Sequence, residues 1–187
     1  MNSFQIDTVL DISLSKKYGG IYAADRLPQM PHSTEKPVGF VANTDNHDSP
    51  GQHWVAFYFP VKGPSEYFDS YGLPPWKSQF LKFLGMNYIK NNYALQSSKS
   101  DVCGQYCIMY LMLRANNYTQ NEILSLFSTN TQQNDAVVDR FYNSLRISFP
   151  LQRKQTFSTC QTCLERNRVE IPWTKSTSKP YTLQICC

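Results

Sequence analysis

Gln96 to Leu113 reads QSSKSDVCGQYCIMYLML, and the rest of the chain is read outward from it. The first six residues are polar, a Cys-Gly pair follows at Cys103 and Gly104, and the run then turns apolar through Ile108, Met109, Leu111, Met112 and Leu113. With so little polar surface this is expected to be a buried helix. Asp101 stands where an N-cap belongs, its carboxylate able to accept from the first free backbone N–H groups. A cysteine at a helix start feels the positive end of the helix dipole, which favours the nucleophilic thiolate over the thiol. Taken alone, Cys103 is better explained as a small buried core residue.

The chain has 187 residues, 41% of them hydrophobic, 14% aromatic and 17% charged. That describes one ordinary globular domain, or one domain with a tail, large enough to bury a core without covalent staples. No apolar run approaches the length that crosses a bilayer, and MNSFQIDTVLDISL carries neither a basic start nor an apolar signal core. A soluble protein made in the cytosol is therefore expected. All six cysteines lie at or beyond position 103, unlike the even spread of a secreted disulfide scaffold. Of the 18 basic and 14 acidic residues, six basic and two acidic fall in 151–187, so this segment nets +4. The first 150 residues carry 12 of each and net to zero. The division expected is a folded domain over 1–150 and a basic, cysteine-containing tail over 151–187. Such a tail suits a phosphate-neutralising contact with nucleic acid as well as a solvated end.

In chain order, Ser3 is read as the cap of a short helix bearing Phe4, Ile6, Val9 and Leu10. Val38–Ala42 and His53–Phe59 read as strands, separated by the turn formers of NTDNHDSPG, and Glu66–Asp69 as the hairpin partner of the second. A helix opened by Pro74-Pro75 is expected to bury Trp76, Phe80, Leu81, Phe83 and Leu84 and to stop at Gly85. Tyr93–Gln96 reads as a further strand leading to Cys103. Thr119–Glu122 is a capping box, and a last helix with Val137, Val138, Phe141, Tyr142 and Leu145 on one stripe begins at Asn134 or Asp135. A few strands flanked by helices make an α+β fold.

A thiol nucleophile needs a base, and the base an orienting group. His32 and His47 lie in turn-rich loops, where a solvated role suffices. His53 stands at the mouth of a buried strand and is followed by Trp54, a candidate lining for a substrate cleft. Asp69 ends the partner strand, and a hairpin returns that end towards His53. Glu66 competes for the role but lies nearer the turn. Asp69 is also an adequate turn former before Ser70-Tyr71-Gly72. Acyl chemistry further needs donors for a developing oxyanion, which the backbone N–H of Cys103 and the side-chain amide of Gln96 could supply.

Together, His53-Trp54, the acid within Tyr67-Phe68-Asp69-Ser70-Tyr71-Gly72, Gln96, and Asp101-Val102-Cys103-Gly104 resemble the adenovirus-type cysteine proteases. These include the adenain-like enzymes of Polinton or Maverick DNA transposons and, more distantly, the peptidases that remove ubiquitin-like modifiers. Gly20-Ile21-Tyr22, Asn43-Thr44 and Cys107 extend the resemblance, which covers roughly residues 15–130. It implies a papain-like, adenain-like fold with permuted His-Asp-Gln-Cys order and a small mixed sheet. It also implies His53 as general base, Asp69 as its orienter, Cys103 as nucleophile and Gln96 as an oxyanion donor, with no metal. The implied activity is a cysteine endopeptidase acting on viral or transposon precursor proteins, as a monomer, in the host nucleus or cytoplasm or in the virion. A modifier-deconjugating peptidase and a silent binding module of the same fold are the alternatives.

The family implies DNA and an activating peptide as cofactors. Adenoviral enzymes carry Glu as the acid, whereas Asp69 is closer to the transposon and modifier-peptidase pattern. Their activating peptide is disulfide-linked to a cysteine upstream of the nucleophile. This sequence has no cysteine before Cys103, so that link has no counterpart. In the tail, Cys160 and Cys163 form one C-x-x-C, but the adjacent pair Cys186 and Cys187 fits poorly as two ligands of one tetrahedral zinc. Free thiols, or a disulfide between Cys160 and Cys163, are expected there.

Overall fold

The structure, a computed structural model, describes residues 1–148, 168–171 and 181–184. Its centre is helix α3 (Cys103–Ala115), in which 11 of the 13 residues are buried. A helix apolar on every side must be surrounded, and here the surroundings are a sheet on one side and helices on the other. The sheet has five strands, in spatial order β1 (Tyr18–Tyr22), β2 (Val38–Asn43), β3 (Trp54–Phe59), β4 (Ser65–Phe68) and β5 (Tyr88–Lys90). β2, β3 and β4 pair antiparallel, while the outer pairs β1–β2 and β4–β5 are parallel, so the sheet is mixed.

Both faces of this sheet are covered, and the period-2 alternation of the strands sorts the side chains between them. Val55, Phe57 and Phe59 of β3, with Phe40 of β2 and Tyr67 of β4, face helix α2 (Ser78–Leu84) and its Phe80, Phe83 and Leu84. Near-perpendicular contacts with ring centroids 5.0 Å (Phe59–Phe83) to 5.8 Å (Phe40–Phe59) apart knit this layer. Ala56, Tyr58, Val41 and Phe68 point the other way, towards α1 (Ser3–Leu14), α3, α4 (Gln120–Ser125) and α5 (Thr131–Ser148). Gly39 of β2 lies so close to α3 that a Cβ there would sit 2.7 Å from a methyl of Leu111. β6 (Arg168–Ile171) and β7 (Tyr181–Gln184) form an antiparallel pair of their own. Cys160, Cys163, Cys186 and Cys187, and the readings made of them, lie outside the described residues.

Several local expectations are corrected. The cap of α1 is Asn2, in a reciprocal capping box with Gln5, and Ser3 is the first helical residue, with Phe4 exposed. Val102, not Asp101, occupies the N-cap position of α3 and makes no side-chain cap bond. α2 starts at Ser78, leaving Trp76 and Leu81 exposed, with the Lys77 ammonium 4.7 Å from the Trp76 ring centroid. Tyr93–Gln96 is a loop, because the Leu95 and Gln96 N–H groups both donate to the single carbonyl of Ser70 at 2.8 and 3.0 Å. The strand beside β4 is instead Tyr88–Lys90. α5 begins three residues earlier than Asn134, at Thr131. The capping box at Thr119 and Glu122 is present as expected.

Two devices hold the strand ends that matter below. The Asn43 side chain accepts from the N–H groups of Asp45 and Gln52 (2.8 and 3.2 Å), closing the base of the loop that delivers residue 53. Gly72 turns the chain after β4 with φ +71°, and a Cβ there would lie 2.4 Å from the backbone of Tyr93. Gly72→Ala therefore combines a left-handed conformation with a backbone clash. A stability loss of about 2 kcal/mol or more is expected. Thermal melting should show it as a fall of roughly 4–8 °C.

Candidate active site

Three side chains at the ends of three elements meet on one edge of the core. Cys103 is the first residue of α3, His53 immediately precedes β3, and Asp69 immediately follows β4. The β3–β4 register pairs Ala56 with Phe68, so one step further along brings residue 69 level with the mouth of β3. Asp69 Oδ1 lies 2.9 Å from His53 Nε2, with the two side chains 3% and 14% exposed. The same oxygen accepts from the Tyr71 N–H at 2.8 Å. The Asp69 backbone is clamped by Asn91, whose Oδ1 accepts from Asp69 N–H (3.0 Å) while its Nδ2 donates to Asp69 C=O (2.6 Å). The Tyr71 ring lies against the imidazole at 4.9 Å between centroids.

With Nε2 committed to the carboxylate, Nδ1 is the ring nitrogen left for the thiol. His53 and the backbone N–H groups of Trp54 and Gly104 act on the Cys103 sulfur in the sense that favours the thiolate. Burial acts to raise the Cys103 pKa, but the His53 bond, the Trp54 and Gly104 donors and the imidazolium charge outweigh it and hold the thiol below its ordinary value. Burial likewise acts to depress His53, yet the hydrogen bonds to Asp69 and Cys103 and their charges push it up to about 9. The two shifts have one meaning: the fold favours thiolate and imidazolium together.

Cys103 should therefore react with iodoacetamide increasingly as pH climbs through a value below that of an ordinary thiol. The imidazolium partner should persist until pH rises through about 9. In Asp69→Asn the bond and charge that raise His53 are weakened, so its titration should move to lower pH. Rate–pH profiles with peptide mapping read both limbs.

Gln96 is buried, and its side-chain amide bonds to neither His53, Asp69 nor Cys103. Its Oε1 accepts from the Ser70 hydroxyl at 2.7 Å and its Nε2 donates to the Ser100 carbonyl at 2.7 Å. The surrounding loop is held from α5, where Asn134 donates to the Leu95 carbonyl (3.1 Å) and Asp135 accepts from Ser97 N–H (3.2 Å) and Tyr106 Oη–H (3.0 Å). The Trp54 indole is partly buried and donates through Nε1 to the Met1 carbonyl at 3.3 Å, so its ring is tied to the N-terminal segment. His47 stands on the surface with Asp25 (2.6 Å) and Arg26 (3.1 Å). Glu66, the competing acid, belongs to a buried pair with Arg114 and not to His53. The sequence gives no site role to Asn91, Tyr71 or Ser70: the latter two read only as turn and motif residues after Asp69, and Asn91 sits in Lys-Asn-Asn, which reads as an ordinary turn.

Among the described residues no group of three or more His, Cys, Asp or Glu side chains could hold a metal ion. A cavity of about 410 Å³ lined by Lys16, Tyr18, Tyr22, Gln29, Glu35 and Phe40, among others, lies along the β1 edge and contains none of His53, Asp69 or Cys103. No helix among the described residues is long and apolar enough to cross a membrane.

A buried thiol at a helix start, paired with an imidazole that a carboxylate orients, has the geometry of a thiol-nucleophile acyl-transfer site. The chain is 30% identical over 132 residues to the cysteine protease S273R of African swine fever virus (isolate Tick/Malawi/Lil 20-1/1983). That alignment covers 61% of this chain and 47% of the viral protein, so the chain spans about half the length of the relative it matches. The crystal structure of the African swine fever virus pS273R protease overlays with a TM-score of 0.44 at 23% identity, covering 72% of this chain and 65% of that one. No family model matches the chain.

Proposed function

We propose that this chain is a cysteine endopeptidase that cleaves precursor proteins of a DNA virus or a Polinton-type mobile element. The observation that carries the proposal is the His53–Asp69 bond of 2.9 Å, with Cys103 at the start of α3 held towards the thiolate by the same imidazole. The similarity to a viral cysteine protease supports the reaction class.

In this reading the Cys103 thiolate adds to the scissile carbonyl carbon, and the displaced electron pair becomes an oxyanion. The N–H of Cys103 and the Gln96 N–H not used by Ser100 donate to that oxygen. The His53 imidazolium gives its proton to the departing amine as the C–N bond breaks, leaving a thioester on Cys103. His53 then takes a proton from water, hydroxide adds to the thioester, and the acid product leaves as the thiol is restored. Asp69 holds the imidazole in the orientation and charge state that both steps use. The +4 charge of residues 151–187 supports DNA as a further partner.

The test is a panel of precursor-type peptides set beside fusions of a ubiquitin-like modifier ending in Gly-Gly. Cleavage of the precursor peptides is expected. Cleavage of the modifier fusions alone would replace this reading with that of a deconjugating peptidase.

A further inference from the structure

We propose that Ser70 is a positioning residue that sets the Gln96 amide for oxyanion binding, an inference that rests on the peptidase reading above. A side-chain amide has two ends of opposite character, and only its NH₂ end stabilises an oxyanion; turned over, it presents a carbonyl oxygen that repels one. Ser70 Oγ–H donates to Oε1 at 2.7 Å, a bond that only the oxygen end can accept. The Ser100 carbonyl takes one N–H of Nε2 at 2.7 Å, which leaves the second N–H of that nitrogen for the substrate. Ser70 and Gln96 are 1% and 2% exposed, so water cannot readily replace the serine as donor.

The backbone of Ser70 reinforces this arrangement. Its carbonyl accepts from both Leu95 and Gln96 N–H groups, fixing the main chain from which the amide hangs. Asp69, the residue before it, holds His53. Adjacent residues on one turn after β4 thus set the base and the oxyanion donor in a single frame, which Asn91 locks to the strand edge through the Asp69 backbone.

The experiment compares wild type, Ser70→Ala and Ser70→Thr in three assays. Peptide cleavage and capture of a peptide aldehyde both place an oxygen where the oxyanion forms; alkylation by iodoacetamide does not. In Ser70→Ala, kcat should fall about tenfold with little change in KM. Aldehyde affinity should weaken by a similar factor, while the alkylation rate of Cys103 and its pH profile stay as in wild type. Ser70→Thr, which keeps the hydroxyl, should restore most of the loss, and Ser70→Ala combined with Gln96→Ala should be no worse than Gln96→Ala alone. Should Ser70→Ala not fold, Ser70→Cys, nearly isosteric but a weak donor, carries the same comparison. Equal slowing of alkylation and cleavage would mean that Ser70 is only structural, and unchanged kcat and aldehyde affinity would also overturn the proposal. If wild type itself neither cleaves peptides nor captures the aldehyde, the peptidase reading fails, and the assignment of Ser70 falls with it.

Discussion

Replacement of Cys103 by alanine is expected to lower peptide cleavage by at least about 10⁴-fold, because no other group can form the thioester. The fold should survive, since alanine suits the first position of a helix and Cys103 lies at the edge of the core, 9% exposed. Cys107, one turn further along α3, provides the control. It is 1% exposed, and burial, with the nearby Cys103 and Asp69 charges, pushes its thiol well above the ordinary value, which makes it inert. Cys107→Ala should cost stability, on the order of 1 kcal/mol, and leave the chemistry of the folded fraction unchanged. Cleavage assays and thermal melts on the two variants separate these roles. An essential Cys107 would contradict the site as described.

The largest loss of stability is expected from breaking the Glu66–Arg114 pair. Glu66 Oε1 meets Arg114 Nη2 at 2.7 Å and Oε2 meets Nε at 2.7 Å, a two-pronged contact between β4 and α3. Tyr110 Oη–H donates to the same carboxylate at 2.5 Å, Arg114 Nη1 donates to the Tyr118 carbonyl, and the guanidinium lies 4.4 Å from the Tyr58 ring centroid. Each charge is therefore removed from water and satisfied by the other and by further partners of its own, Tyr110 for Glu66 and the Tyr118 carbonyl for Arg114. Arg114→Ala leaves the Glu66 carboxylate buried and unpaired, at an expected cost of about 3–5 kcal/mol. Glu66→Leu combined with Arg114→Met should recover much of that loss, because well-packed apolar residues need no counter-charge. Urea unfolding midpoints measure both. An Arg114→Ala variant as stable as wild type would show that the pair does not join strand and helix as drawn.

That same pair explains why the choice between Glu66 and Asp69 was legible in the sequence only through the hairpin. Chain distance from the turn put residue 69 nearer His53, and the structure places its carboxylate there. What became of Glu66 was not legible, because its partner lies 48 positions away on a helix read as wholly apolar up to Leu113. The strands β2, β3 and β4 were readable because β-branched and aromatic residues between turn formers carry a local signal. Its spacing to Cys103 marks Gln96 in the sequence, yet the segment that holds it reads as a strand and is a loop. The bonds that shape that loop come from Ser70, Asn134 and Asp135, and no periodicity encodes bonds so distant in sequence. Trp76 departs from its sequence expectation for a similar reason: two prolines and a tryptophan resemble a buried helix start, whereas the chain delays the helix to Ser78 and leaves the indole on the surface beside Lys77.

The most direct test of the site is iodoacetamide labelling of the intact protein at neutral pH, with each cysteine followed by mass spectrometry. Cys103 should label faster than Cys107 and the tail cysteines, and His53→Ala should remove that advantage, because its thiolate depends on the imidazolium. Labelling of Cys103 no faster than that of the tail cysteines, or unchanged by His53→Ala, would contradict the activated thiol on which the account depends.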